Sequence, residues 1–344
     1  MSTVICHSDK METLEEYNVL YDNNESQHYG DHETQESEGG EANLPNYLVG
    51  CKKNPGHRQF IPVDIFSLKH LPKGLQDNDL FDLIKATADL TVRVGVTNSS
   101  PHRPKFWPKT THPYPFYNMS DTRKLRTGSG RVFDVKSFQD GIIQDGGIED
   151  TAYTKCWCTK CLNSNVSSNV WWEFYVYTAT HVVCDDFEAS HTTLRLFYDT
   201  NNSQVINVDK INVDYVNIEY DLCVLKCVTC DNHVGKKLTE MCDLFFIIFN
   251  KVFQNYKNSR DIHKLNFIVS HPHGCSKQIS IGQWKDIYKV GFSIKFTYTT
   301  STCPGSSGAH VQCVGYNEWW LLSNLVHSGS LKCGLNYSGV GDVS

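Results

Sequence analysis

From residue 128 to the C-terminus the chain consists of short runs rich in Val, Ile, Thr, Tyr, Phe and Trp separated by turn-forming residues, and that pattern restricts it to sheets. The runs are Val170 to Val183, Thr192 to Tyr198, Val213 to Leu225, Leu265 to Ser270, Tyr288 to Thr300 and Trp319 to Val326, with turns such as Asp199-Thr200-Asn201-Asn202 between them. β-Branched and aromatic side chains pack well on a pleated, half-buried surface and lose rotamer freedom in a helix. The fold class expected is therefore mainly β. At 344 residues and 40% apolar, the chain can bury a sizeable core. Residues 238 to 258 fit either a helix or a long strand, and the run Leu244-Phe245-Phe246-Ile247-Ile248-Phe249 within them reads as a buried strand.

The N-terminal part has a different texture. Residues 1 to 50 hold eleven acidic residues against Lys10 alone, and Glu33, Glu36, Glu38, Gly39, Gly40 and Glu41 form a stretch poor in core-forming side chains, so residues 1 to 45 are expected to be a disordered acidic tail. An extension follows over residues 46 to 124. Within it Leu80, Leu83, Ile84, Thr87, Leu90 and Val94 recur at helical spacing, which predicts an amphipathic helix over 78 to 94. Pro101, Pro104, Pro108, Pro113 and Pro115, interleaved with Trp107, Tyr114, Phe116 and Tyr117, predict an extended strap whose aromatics lie on the surface of the sheet domain. The net charge of −6 is mild, and neither a nucleic-acid surface nor a polybasic membrane patch follows from it.

Three short segments carry chemistry. His181 ends Tyr177-Thr178-Ala179-Thr180-His181-Val182-Val183, Asp221 opens Asp221-Leu222-Cys223-Val224-Leu225, and Ser307 lies between glycines in Thr302-Cys303-Pro304-Gly305-Ser306-Ser307-Gly308-Ala309. A serine hydroxyl is a poor nucleophile until an imidazole takes its proton, and the imidazole needs a buried carboxylate to hold its tautomer. Ser307 would attack, His181 would shuttle the proton and Asp221 would orient it, with Asp185, Asp186 and Asp214 as nearby alternatives for the acid. A glycine-bearing turn can aim the backbone N–H groups of Gly305 and Ser307 at a developing oxyanion. The chemistry expected is hydrolysis of a protein or peptide substrate, with no metal or other cofactor in the catalytic step.

The three segments resemble the histidine, aspartate and Gly-x-Ser-Gly motifs of the chymotrypsin-like (trypsin-fold) serine proteases, and the resemblance spans roughly residues 125 to 344. Gly128-Ser129-Gly130-Arg131-Val132 is similar to the opening strand of that family's first barrel. The resemblance implies two six-stranded antiparallel β-barrels, over 125 to 235 and 236 to 344, with the triad in the cleft between them. It implies an endopeptidase of the intracellular, non-zymogen kind, because Ser306 stands where secreted members have an Asp that pairs with a new N-terminus. Ser301 stands where trypsin has its specificity Asp, which argues against a Lys or Arg preference. His327-Ser328-Gly329 falls where the family has its substrate-binding strand, and His327 in that place could recognise a Glu or Gln side chain. Cys303 and Cys333 match positions of a disulfide beside the pocket of secreted relatives.

The first ten residues lack the basic start and apolar run of a secretory signal, and no stretch approaches the eighteen or so apolar residues of a membrane span. The expectation is a cytoplasmic protein. In a reducing compartment its fourteen cysteines are thiols or metal ligands before they are disulfides. Cys158 and Cys161, with Cys227 and Cys230, give two C-x-x-C pairs that could hold a structural zinc. Two other readings stay open: a protease-fold binding protein whose triad is silent or whose cleft is covered by the N-terminal region, and a zinc-stabilised interaction module centred on Cys156 to Cys161.

Overall fold

The structure, a computed structural model, describes residues 29–120, 122–144, 153–317 and 324–342, together with the backbone of a short strand Val19–Tyr21. It is mainly β, with two large sheets of nine strands each. In the first, the strands run in the order Ile206–Val208, Thr192–Leu196, Thr91–Asn98, Arg123–Gln139, Val170–Thr178, Leu222–Thr229 and Ile211–Asn217, every neighbour antiparallel. In the second, the order is Val311–Cys313, Leu265–Ser270, Gln278–Val290, Ser293–Tyr298, Asn336–Ser338, His327–Ser330 and Asp31–His32, again antiparallel throughout. Val19–Tyr21 adds to Gln278–Val290 in parallel.

The alternation that predicted strands is visible in burial. Thr192, Leu194 and Leu196 are buried while Thr193 and Arg195 are partly exposed, as a period of two requires. One apolar core joins the sheets: Val92, Val94, Phe174, Val176, Val224 and Leu225 of the first are continuous with Leu265, Phe267, Val269 and Ile279 of the second. A second cluster, around Trp284, Phe296, Tyr298 and Val311, fills the second sheet's own interior.

Five features differ from the sequence reading. Each sheet has nine strands instead of six: the regions expected to be tail and extension supply Gln35–Ser37 and Thr91–Asn98 to the first and Val19–Tyr21, Asp31–His32 and Ile61–Pro62 to the second, and the first has a seventh strand of its own. Residues 31–49, expected within or beside a disordered tail, form the strands Asp31–His32 and Gln35–Ser37 and the helix Leu44–Val49, with Gln35–Ser37 paired to Arg123–Gln139. Glu33, Gln35 and Ser37 find protein partners for their polar side chains, so a low apolar content did not prevent order; residues 1–18 and 22–28 lie outside the described residues. The helix expected over 78 to 94 ends at Leu90, and Thr91–Asn98 is a strand. Asp77 caps the helix by accepting from the Asp79 N–H at 2.8 Å, and the β-branched Thr91 and Val92 begin the strand.

The fourth difference is at residues 232–256, which form one long helix. Asp231 caps it, accepting from the N–H groups of His233 and Val234 at 2.9 and 3.0 Å. Val234, Leu238, Cys242, Phe245, Phe249, Val252 and Tyr256 are buried along a single face, while Leu244 and Ile247 of the run expected to be a strand are exposed. The helix links the two sheets and packs on Asn78–Leu90, with Tyr256 Oη donating to Asp77 at 2.9 Å. The proline strap does lack helix and central strand, but Trp107, Tyr114 and Phe116 are buried, not laid on the surface. The stretch Trp319 to Val326 falls largely outside the described residues.

Candidate active site

His181 follows the strand Val170–Thr178 in a tight turn closed by the Val182 and Val183 N–H groups donating to Ala179 O at 3.0 and 3.2 Å. Asp221 sits at the start of Leu222–Thr229 with φ +55°, a left-handed conformation that Asp tolerates better than most residues. Ser307 occupies the turn before Val311–Cys313, on the other sheet. The fold brings the three together, all buried. Asp221 Oδ2 lies 2.8 Å and Oδ1 3.0 Å from His181 Nδ1, and His181 Nε2 lies 2.7 Å from Ser307 Oγ. Asp185 and Asp186, the nearest alternative acids, are occupied elsewhere, Asp185 capping the short helix Asp186–Ala189 and Asp186 accepting from the Val213 N–H.

Asp221 also accepts from Thr180 Oγ1 at 2.8 Å, the His181 N–H at 3.1 Å and Ser328 Oγ at 2.5 Å. Burial alone would raise its carboxyl, but the charge and hydrogen bond of His181, with Ser328 and Thr180, hold it below the usual range. A carboxylate at Nδ1 fixes that nitrogen as the protonated one, which leaves the Nε2 lone pair facing the Ser307 hydroxyl. Ser328, expected on the substrate-binding strand, turns its hydroxyl to Asp221 Oδ2.

Behind His181 lies a buried ion cluster that the sequence did not reveal. Arg103, from the proline strap, donates to Glu188 at 2.8 and 2.7 Å and to His181 O at 3.1 Å. Arg126 reaches the same carboxylate at 3.0 Å. Glu188 would be raised by burial, yet the two guanidiniums hold it down at about 2. No spacing ties Arg103 to His181 in the sequence, so only the fold shows the contact.

Gly305 and Ser307 present their N–H groups to one point, the backbone carbonyl oxygen of Glu33, at 2.6 and 3.2 Å. Gly305 has φ +98°, and a Cβ there would stand 2.4 Å from His271 O, so this turn requires glycine. The Glu33 side chain enters the adjoining pocket. Its Oε2 lies 2.7 Å from His327 Nε2, and its Oε1 is paired with Lys53. Burial would raise the Glu33 carboxyl, but His327 and Lys53 hold it down at about 2; burial in turn pushes the His327 imidazole down. A neutral His327 with its proton on Nε2 fits both partners, since Nδ1 can accept from Tyr298 Oη at 2.6 Å. Gly329 pairs with His32 in the strand ladder. Ser301 Oγ donates to Gln59 Oε1.

Among the metal-ligating side chains, Cys156, Cys158, Cys161 and Cys230 bring their sulfurs within 4.8 Å of one another. Cys227, expected as the fourth member, is absent from the group: alternation along Leu222–Thr229 turns it into the apolar core, and Cys156 takes its place. A second group joins Cys51, His57, His273 and Cys303. Cys303 is therefore a free thiol beside Cys51 and is not bonded to Cys333. No helix among the described residues is long and apolar enough to cross a membrane.

No protein-family model matches the chain, and no curated protein sequence matches it. Among solved structures it is similar to an HtrA-type protease with a decapeptide, at TM-score 0.37 and 12% identity over 75% of this chain. The chain covers 61% of that protease's length. It is also similar to the Rv3671c protease in an inactive form, at TM-score 0.33 and 9% identity, covering 75% of this chain and 86% of that one.

Proposed function

We propose that the protein is a serine endopeptidase of chymotrypsin-like type, in which Ser307 is the nucleophile, His181 the general base and acid, and Asp221 the residue that orients the imidazole. The observation that carries the reading is the unbroken hydrogen-bond chain from Asp221 through His181 to Ser307, at 2.8 and 2.7 Å. Ser307 Oγ would attack a peptide carbonyl while Nε2 takes its proton. Gly305 and Ser307 N–H groups would hold the oxyanion, and His181 would return the proton to the departing amine. Water would then attack the acyl-enzyme ester, with Nε2 again as base. The substrate is a protein or peptide chain bound as a strand along His327–Ser330, and the reaction needs no metal. Cys156, Cys158, Cys161 and Cys230 would hold a structural zinc remote from this chemistry, a tetrahedral all-thiolate site of the kind zinc prefers.

The test is labelling of the purified full chain with a fluorophosphonate probe, together with turnover of a Glu-containing peptide. Labelling and turnover in the wild type, both lost in Ser307→Ala and in His181→Ala, are the expected result. A folded wild type that neither labels nor cuts overturns the reading and favours a protease-fold binding protein.

A further inference from the structure

Residues 29–37 cross the cleft in extended form, and their contacts follow the order in which a substrate would engage it. Tyr29 stacks on Trp107 with ring centroids 4.9 Å apart. Asp31 and His32 pair antiparallel with Ser330 and Gly329. At Glu33 the carbonyl oxygen takes both the Gly305 and Ser307 N–H groups, the N–H donates to Ser307 Oγ at 3.0 Å, and the side chain fills the pocket between His327 and Lys53. Beyond it, Gln35 reaches His273 Nδ1 at 2.8 Å, and Gln35–Ser37 joins the strand Arg123–Gln139. A loop resting on the cleft by chance has no reason to place one residue's carbonyl on both donors and the same residue's side chain in the pocket.

Resting on the protease reading, we infer that the Glu33–Thr34 peptide bond is a substrate of the chain's own active site, and that the site selects glutamate on the acyl side of the bond it cuts. Ser307 Oγ bonds to the Glu33 carbonyl carbon as His181 takes the hydroxyl proton. The carbon–nitrogen bond to Thr34 breaks and His181 gives that proton to the Thr34 amine. Water hydrolyses the Glu33 ester, leaving a Glu33 carboxylate and a chain that begins at Thr34. His327 and Lys53 supply a hydrogen bond and a positive charge to the glutamate carboxylate, and an unpaired buried carboxylate-binding pocket discriminates strongly against side chains that cannot fill it.

The experiment follows the full chain by intact mass and N-terminal sequencing, in the wild type, Ser307→Ala and Glu33→Lys. The wild type should convert to a chain starting at Thr34, Ser307→Ala should stay whole, and Glu33→Lys should slow conversion by about 100-fold or more, since a lysine would meet Lys53 in the pocket. A wild type that stays whole while a fluorophosphonate probe labels Ser307 overturns the inference and leaves the protease reading standing. Cleavage that depends on Ser307 but falls elsewhere overturns the assignment to Glu33. A wild type that stays whole, unlabelled and inactive on added peptide overturns both.

A different observation carries a second site. Cys51, His57, His273 and Cys303 bring one ligand atom each within 4.8 Å of one another. The two sulfurs are 3.6 Å apart, and Cys303 Sγ is 3.4 Å from His57 Nε2. A tetrahedral zinc with bonds of about 2.3 Å to sulfur and 2.0–2.1 Å to nitrogen would separate those pairs by about 3.8 and 3.5 Å. His273 is buried, its Nδ1 is engaged by Gln35, and its Nε2 has no hydrogen-bond partner. A histidine fixed at one nitrogen with the other bare and aimed into a thiol cluster is how metal-bound imidazoles are held.

The geometry points to a structural zinc site formed by these four residues. It would fasten the segment that carries Lys53 to the turn that carries Ser307. Zinc in the purified full chain, measured by mass spectrometry, should fall by one equivalent in His57→Ala, whose side chain is only half-buried, and by a separate equivalent in Cys161→Ser. Cobalt-loaded wild type should show thiolate-to-metal absorption that is reduced in His57→Ala. Zinc content and absorption unchanged by His57→Ala, or a Cys51–Cys303 disulfide in metal-free wild type, overturns this site.

Discussion

Asp221 illustrates how much one carboxylate is asked to do. It receives four hydrogen-bonding groups, from Thr180, the His181 backbone, the His181 ring and Ser328, and a buried anion so surrounded stays ionised. Asp221→Asn keeps the shape but can present an amide N–H to Nδ1, favouring the tautomer whose Nε2 proton faces Ser307. We expect turnover of a Glu-containing peptide to fall by about four powers of ten, the loss known for the same substitution in the well-studied protease triad, with little change in KM. Undiminished turnover would mean another residue orients the imidazole. His327 is tested differently. If a glutamate substrate binds as Glu33 does, His327→Ala removes the hydrogen bond to its carboxylate while leaving the Asp221–His181–Ser307 contacts in place, so kcat/KM for Glu should drop by about 100-fold relative to that for Ala at the same position. Equal losses for both would show that His327 supports the strand and not the preference.

At the scale of elements, two segments behave against their local composition. The helix Asn232–Tyr256 contains Gly235, and in an exposed helix replacing it with Ala would stabilise by about 0.5–1 kcal/mol. Here an added Cβ would lie 2.0 Å from the Trp172 ring. Overpacking of that kind costs about 1–3 kcal/mol, so Gly235→Ala should lower stability, and a raised unfolding midpoint in denaturant would contradict the packing described. The segment Gly30–Ser37 is acidic and polar, yet it is ordered by the cleft it occupies. His32 faces His181 and the guanidiniums of Arg103 and Arg126 as well as Glu33, and burial, then those neighbours, push its imidazole down to about 3. Between about pH 6.5 and 3 the released segment therefore binds one more proton than the docked one, and docking weakens as pH falls, by up to tenfold per unit. Glu33, held at about 2 when docked, adds a loss of the same sign below about pH 4.5. In Ser307→Ala, which keeps the segment attached, amide exchange of His32 and Glu33, corrected for intrinsic rates, should show less protection at pH 5.5 than at 7.5. Equal protection would place His32 in water.

The whole molecule joins what the chain keeps far apart, and that explains what could be read from the sequence. His181, Asp221 and Ser307 were legible because each needs a particular short turn around it. Glu33, Lys53 and Arg103 were not, since their partners His327, Glu33 and His181 lie on segments no local pattern connects to them. The helix at 232–256 was ambiguous because its apolar run, read over six residues, has no period; read over twenty-five it has one face. The strap shows the same dependence on the complete fold: its buried aromatics and Arg103 back the imidazole from behind while the two sheets bring the serine to its front. Glu188 is the joint of that arrangement, fully buried and held by Arg103 of the strap, Arg126 of the longest strand and the Ser100 and Cys184 N–H groups. Replacing a whole buried ion cluster with apolar residues is often neutral, but removing one partner leaves charges buried without compensation and costs about 3–5 kcal/mol. Glu188→Gln leaves two guanidiniums facing a neutral amide, and it also loosens the Arg103 hold on the His181 carbonyl. We expect a lower thermal midpoint together with a fall in kcat at temperatures where the variant is still folded. Loss of stability with unchanged kcat would assign Glu188 to the framework alone and leave the position of His181 to the Ala179–Val183 turn.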